Sequence, residues 1–236
     1  MPEITGLPGY RSDRSAAYRR IRKSDNGVRY YEGGIPIDGT YSGDAGNTGN
    51  VDVLRAGKIM VKKNTGGLWR NFIIGKTTAA YVDNDTTLTV GAATATEVAR
   101  LIVATGGSVS LSLIGPPSAA GTVAATAITV SAASGTTLTI SDLNLAKVTD
   151  SLIALPAAAY TDGTFGFIDD GTGIKCSDED GVRLNVPCPL MLVGGSIDES
   201  QIIDLPADTS TVTYLKGLLN SAANGYGFRF DGPVVA

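Results

Sequence analysis

Five Asp-Gly dipeptides punctuate the chain, at Asp38-Gly39, Asp162-Gly163, Asp170-Gly171, Asp180-Gly181 and Asp231-Gly232. Asp-Gly supplies the positive φ of tight turns, so a chain cut this often is built from short segments that reverse direction. The segments between the cuts read as strands. Phe165-Gly-Phe-Ile168, Gly173-Ile-Lys-Cys176, Val182-Arg-Leu-Asn-Val186, Leu190-Met-Leu-Val193 and Tyr226-Gly-Phe-Arg-Phe230 lie in the last third. Lys58 to Lys63 and Leu68 to Ile74 flank Asn64-Thr-Gly-Gly67, a hairpin signature. Val109-Ser-Leu-Ser-Leu113, Ala127-Ile-Thr-Val130 and Thr137-Leu-Thr-Ile140 alternate with period two, as half-buried strands do. Thr87 to Val90 is a further strand, and Thr86-Thr-Leu-Thr-Val90 echoes Thr136-Thr-Leu-Thr-Ile140.

Two segments carry helical periodicity instead. Thr94 to Thr105 places Val98, Leu101 and Ile102 on one face, with Thr94 or Thr96 as cap, Glu97 in the first turn and Gly106-Gly107 as the stop. Thr209 to Ala223 has Asp208 as cap, a Val212, Leu215, Leu219, Ala222 stripe and Asn224-Gly225 at its end. The predicted fold is mainly β, a β-sandwich or barrel-like body, with two short helices and an extended N-terminal arm. The arm covers 1–50, because its second half is rich in glycine and its apolar residues are few. Such a segment gains too little burial to order by itself. The body covers 51–236, with a possible division into 51–155 and 156–236.

Charge separates the same two parts. Residues 1–31 hold seven basic residues against three acidic, which is +4; the remainder holds twelve against twenty, which is −8. A basic arm in front of an acidic body is an interaction-tail pattern. Arg11, Tyr18, Arg19, Arg20, Arg22 and Tyr30 are its candidate contact residues. The acidic body opposes approach to nucleic acid, so an acidic protein surface is the favoured partner.

The absence of histidine removes the commonest general base and metal ligand. Serine triads, zincins and facial-triad iron sites are excluded, and no cofactor is implied. Gly75-Lys76-Thr77 is not a Walker loop, because Arg70 stands where a glycine is needed and no helix follows. Cys176 and Cys188 read as buried free thiols. Asp169, Asp170, Asp178, Glu179 and Asp180 read as solvated turn tips, out of register for an EF-hand. A carboxylate pair of the glycosidase kind, which meets only in space, stays open as a rival. The 41 residues from Leu101 to Ser141 carry no charge, yet Ser, Thr, Gly106-Gly107 and Gly115-Pro116-Pro117 break any membrane span. No secretory signal precedes them, and synthesis in a cytoplasm is expected.

Leu54-Arg55-Ala56-Gly57-Lys58-Ile59 after a Gly-rich lead-in resembles the decoration, or cement, proteins of tailed-bacteriophage heads. The helix and Thr/Ala-rich strands of Thr94 to Ile140 are similar in texture, as are Gly173-Ile-Lys, Asp180-Gly181 and Asp198-Glu-Ser. The resemblance implies a non-enzymatic virion structural protein on the outer capsid surface. Its partners would be the major capsid protein and copies of itself, as a homotrimer. The alternative is a host-facing fibre or adhesin module that binds a receptor or glycan through its hairpin tips.

Overall fold

The computed structural model describes residues 21–25, 27–31, 34–47, 50–64, 66–115, 123, 125–141, 150–160, 164–220 and 227–231. The chain is mainly β, with three sheets and two α-helices among these residues. The larger sheet runs β1 (Arg29–Tyr30), β15 (Met191–Asp198), β12 (Phe165–Ile168), β4 (Ile59–Lys62), β5 (Trp69–Asn71), β2 (Ile35–Ile37) and β14 (Val186–Cys188). A further strand, β16 (Phe228–Asp231), joins β15 in parallel. The smaller sheet runs β6 (Ile73–Lys76), β11 (Leu152–Ala154), β8 (Val109–Ile114), β9 (Ala125–Ser134), β10 (Thr137–Ile140) and β7 (Thr87–Thr89). A two-stranded pair, β3 (Val53–Leu54) with β13 (Ile174–Lys175), completes the set.

The run Leu68 to Ile74, which reads as one strand in sequence, is divided between the two sheets. At Phe72 the chain leaves β5 and enters β6; its N–H still bonds the Ile59 carbonyl of the larger sheet, and its carbonyl accepts from Leu155. Residues 73–154 therefore supply the smaller sheet and its helix, and the chain on both sides supplies the larger. The segment 51–155 thus holds strands of both sheets.

Period-two alternation then builds two cores. Ile73, Ile114, Leu152 and Ala154 face the first, together with Phe72, Phe165 and Phe167. Ile74, Leu111, Leu113 and Ile153 face the second. Strands β6 and β11 are thus buried on both faces over Ile73–Gly75 and Leu152–Ala154, and they carry apolar runs in place of alternation. Strands β7 and β10 keep the alternation: Thr87, Thr89, Thr137 and Thr139 are exposed while Leu88, Leu138 and Ile140 are buried. The two echoing Thr-Leu-Thr segments are antiparallel neighbours, Thr87 opposite Thr139 and Thr89 opposite Thr137. A bridge between Thr77 and Val90 brings the two ends of the smaller sheet together, so it curls toward a barrel.

Helix α1 (Ala92–Thr105) covers the second core with Ala95, Val98 and Leu101. It starts two residues before the predicted Thr94. Val90 is held by Thr77 and by the Thr136 carbonyl, and the helix begins directly after it, with Gly91 as a cap that lends no side chain. Thr94 is buried instead and packs on β6, where a Cβ on Gly75 would collide with its side chain. At the other end Gly106 adopts φ 84° and its N–H returns to Ile102 and Val103, a left-handed stop as predicted. Helix α2 (Thr209–Leu219) is capped by Asp208, which accepts the Thr211 N–H at 2.7 Å. Leu215 and Leu219 enter the first core. Asn220 ends this helix before the predicted Ala223; its side chain bonds both backbone groups of Phe228 and so pins β16. Ala222 lies outside the described residues. No helix among the described residues is long and apolar enough to cross a membrane.

Asp-Gly works less uniformly than its turn chemistry predicts. Gly181 adopts a left-handed φ of 80°, whereas Gly39 and Gly171 do not. At Gly39 the requirement is space, because a Cβ would strike the Leu184 carbonyl oxygen. Asp162-Gly163 lies outside the described residues.

Candidate functional site

The predicted arm is tied down over its described part. Ile21 is fully buried in the first core. Its carbonyl accepts from Asp198 at 2.9 Å, Arg22 bridges Ile197, and the Lys23 N–H reaches the Ser196 carbonyl. Further on, Arg29 and Tyr30 pair with Gly194 and Leu192, and the Tyr31 N–H bonds the Met191 carbonyl. Residues 21–23 and 29–31 thus lie as an added edge along β15.

Two of the candidate contact residues meet on this edge. Tyr30 donates its hydroxyl to Asp169 Oδ2 at 2.5 Å. Arg22 Nε lies 2.6 Å from the same oxygen, a charge contact rather than an aligned hydrogen bond, and its guanidinium also pairs with Asp25. Burial and the Asp169 hydrogen bond push the Tyr30 phenol well up, so it stays a donor. Arg22 and Tyr30 therefore grip the body's own Asp169. Arg11, Tyr18, Arg19 and Arg20 lie outside the described residues.

The Gly-rich stretch that follows is held by charge where apolar residues are scarce. Asp38 receives Arg70 at 2.7 Å, and that guanidinium lies 3.7 Å from the centre of the Tyr41 ring. Arg183 donates to the carbonyls of Gly39 and Ser42 and pairs with Asp52 at 2.5 Å and Glu97 at 3.6 Å. Glu97, read from the sequence as a first-turn residue, lies beyond the first turn of α1 and is buried between Arg183 and Arg100. Asn71 donates to the Gly43 carbonyl. Asp44 is fully buried and takes Arg55 through Nε at 2.6 Å and Nη2 at 3.0 Å. Lys58, also fully buried, lies 2.7 Å from Asp204 and 3.7 Å from Asp44. Burial pushes the Asp44 carboxyl up, but the Arg55 hydrogen bonds and the Lys58 and Arg55 charges outweigh it and hold the group below its usual range. Residues 35–47 thus order against the body itself, and Ile35 and Ile37 fill its third apolar cluster.

The motif Leu54 to Ile59 has a definite job here. Arg55 and Lys58 point into one knot, and Gly57, at φ 90°, stands where a Cβ would collide with the Gln201 carbonyl oxygen. The i, i+3 spacing of Arg55 and Lys58 is visible in sequence. Their partners are not, because Asp204 is 146 positions from Lys58.

The remaining candidates resolve individually. Asp170 caps its own turn through Thr172, and Asp178 accepts the Val182 N–H. Among the described residues no three acidic or thiol groups converge as a metal site. Cys176 and Cys188 are free and buried, and burial pushes both thiols up to about 12. Lys76 of Gly75-Lys76-Thr77 ends β6 and pairs with Asp150 at 2.8 Å. Comparison with known proteins finds no matching family model, no matching curated protein and no matching solved structure. The resemblance to head decoration proteins rests on the sequence texture alone.

Proposed function

We propose that the protein is a non-enzymatic structural protein of a phage virion. It binds the outer face of the capsid and clamps neighbouring major capsid subunits, as a homotrimer made in the host cytoplasm. Segment 1–20 carries the contact to the shell, through Arg11, Tyr18, Arg19 and Arg20. The observation that carries this reading is a division of labour along the basic segment. Arg22 and Tyr30 are committed to Asp169, and residues 21–23 and 29–31 fix the segment to β15. The residues before it still hold four arginines against Glu3 and Asp13, a net +2 in front of an acidic body. A trimer presenting three such segments gains affinity by effective concentration, so each contact need only be weak. The buried ionisable groups of the body support a structural role, because they tie the Gly-rich stretch to the larger sheet through Arg70 and to helix α1 through Arg183 and Glu97.

Cosedimentation with expanded heads of the virus that encodes the chain tests the reading. Full-length protein should pellet with the heads, and a variant lacking residues 1–20 should lose most of its occupancy. Equal occupancy of the two contradicts the contact; no binding of either contradicts the reading. Binding to host cells instead of heads would establish the fibre or adhesin alternative.

A further inference from the structure

The knot around Lys58 holds an amine against a carboxyl group away from water. Lys58 is fully buried, and its Nζ lies 2.7 Å from Asp204 Oδ2. The Asp204 carboxyl carbon is one bond beyond that oxygen, within the contact range of a near-attack pair. The backbone fixes both residues. The Ile203 N–H bonds the Gly57 carbonyl, so the turn that carries Asp204 is tied to the turn that carries Lys58. Asp204 sits at φ 63°, a left-handed conformation that residues other than glycine seldom adopt and that clusters at functional sites.

Two further groups complete the site. Asp44 Oδ1 lies 3.7 Å from the same amine, and Arg55 holds the Asp44 carboxyl ionised. A Cβ on Gly46 would lie 2.9 Å from Arg55 Nη2, 3.6 Å from Asp44 Oδ1 and 3.7 Å from Asp204 Oδ1. These three side chains therefore border one small space. The Asp204 side chain is 15% exposed, which leaves a route to solvent.

We infer that Lys58 and Asp204 condense to an intramolecular isopeptide bond, Nζ to Cγ. Within the ion pair a proton passes from the ammonium to the Asp204 carboxylate, giving amine and acid, the forms that burial favours. The amine nitrogen attacks Cγ, and Asp44 takes the proton that the nitrogen sheds. Arg55 stands beside the space where negative charge gathers on the Asp204 oxygen. Asp44 returns its proton to the departing hydroxyl as the C–O bond breaks. One ammonium and one carboxylate become one amide and one water, with no oxidant or co-reactant. The bond joins positions 146 apart, and closing so long a loop lowers the entropy of the unfolded chain. It belongs to the body alone, whatever surface the protein binds.

Tryptic digestion of the denatured full chain, read by tandem mass spectrometry, tests it. The expected product is peptide 56–62, uncut at Lys58, joined to peptide 184–216, at one water below their summed mass. Trypsin passes over a lysine whose charge an amide has removed. Lys58→Arg keeps the charge but lacks the amine, and should release peptide 184–216 free. Cleavage at Lys58 with peptide 184–216 free in the wild type would overturn the bond, and so would a water loss located at an Asp-Gly instead. The wild-type digest decides the question even if the variant fails to fold. It needs no capsid, so its failure is distinct from a failure to bind heads.

Discussion

Asp44 shows how the body uses charge. It is fully buried, and it holds Arg55 and lies near Lys58. Asp44→Asn takes the carboxylate from Arg55 and leaves Lys58 with Asp204 alone, and should destabilise by about 1.5–3 kcal/mol in urea unfolding, the scale of charge-assisted hydrogen bonds lost at a buried group. The pH dependence has a definite sign. The folded carboxyl titrates below its unfolded value, so its contribution is complete above about pH 4 and is lost as pH falls through the folded value. The stability gap between wild type and Asp44→Asn should therefore shrink between pH 7 and pH 3. Cys176 and Cys188 carry the opposite consequence of burial. With thiols at about 12 and no exposed surface, neither should react with a disulfide reagent until the protein unfolds. The thiols were legible from composition. The knot was not, because nothing local in Leu54 to Ile59 marks Asp44 and Asp204 as partners.

Elements were legible where their periodicity is local. The Val98, Leu101, Ile102 face and the Gly106 stop predict α1 well, and Asp208 caps α2 as expected. Boundaries failed where a neighbour decides them. The first turn of α1 begins at the end of a tethered strand, and Leu68 to Ile74 splits because Phe72 bonds one sheet while Ile73 enters the next. Prolines mark a third case: Pro187 of β14 stands opposite Pro36 of β2, so neither can donate to the ladder. Pro187 also offers no N–H to an incoming strand, which blunts an edge of the larger sheet. Two substitutions weigh the α1 account. Gly106→Ala should cost about 1 kcal/mol, since φ 84° strains any residue with a Cβ. Leu101→Ala should cost about 2–5 kcal/mol by opening a cavity in the second core. Thermal or urea unfolding reads both, and a neutral Leu101→Ala would remove α1 from the core.

At the scale of the molecule, mainly β architecture with two helices followed from alternation and turn dipeptides. The interruption of the larger sheet by residues 73–154 did not, because strand order is set by contacts between distant segments. The basic segment divides at Ile21. Deleting residues 1–20 gives the reference against which the described part, from Ile21 on, is weighed. Deleting 1–31 should cost at least about 2 kcal/mol, since Ile21 leaves the first core and Tyr30 leaves Asp169. Equal stability of the two truncations would mean that 21–31 adds nothing to the sheet. The central claim is that this two-sheet body sits on a capsid and is held there by what precedes Ile21. A cryo-electron microscopy reconstruction of the virus that encodes the chain tests it most directly. Three copies of the two-sheet body grouped on the outer shell, each with Ile21 on the side turned toward the major capsid protein, is the predicted result. A shell without this density, or the same body found at the fibre tip, would contradict it.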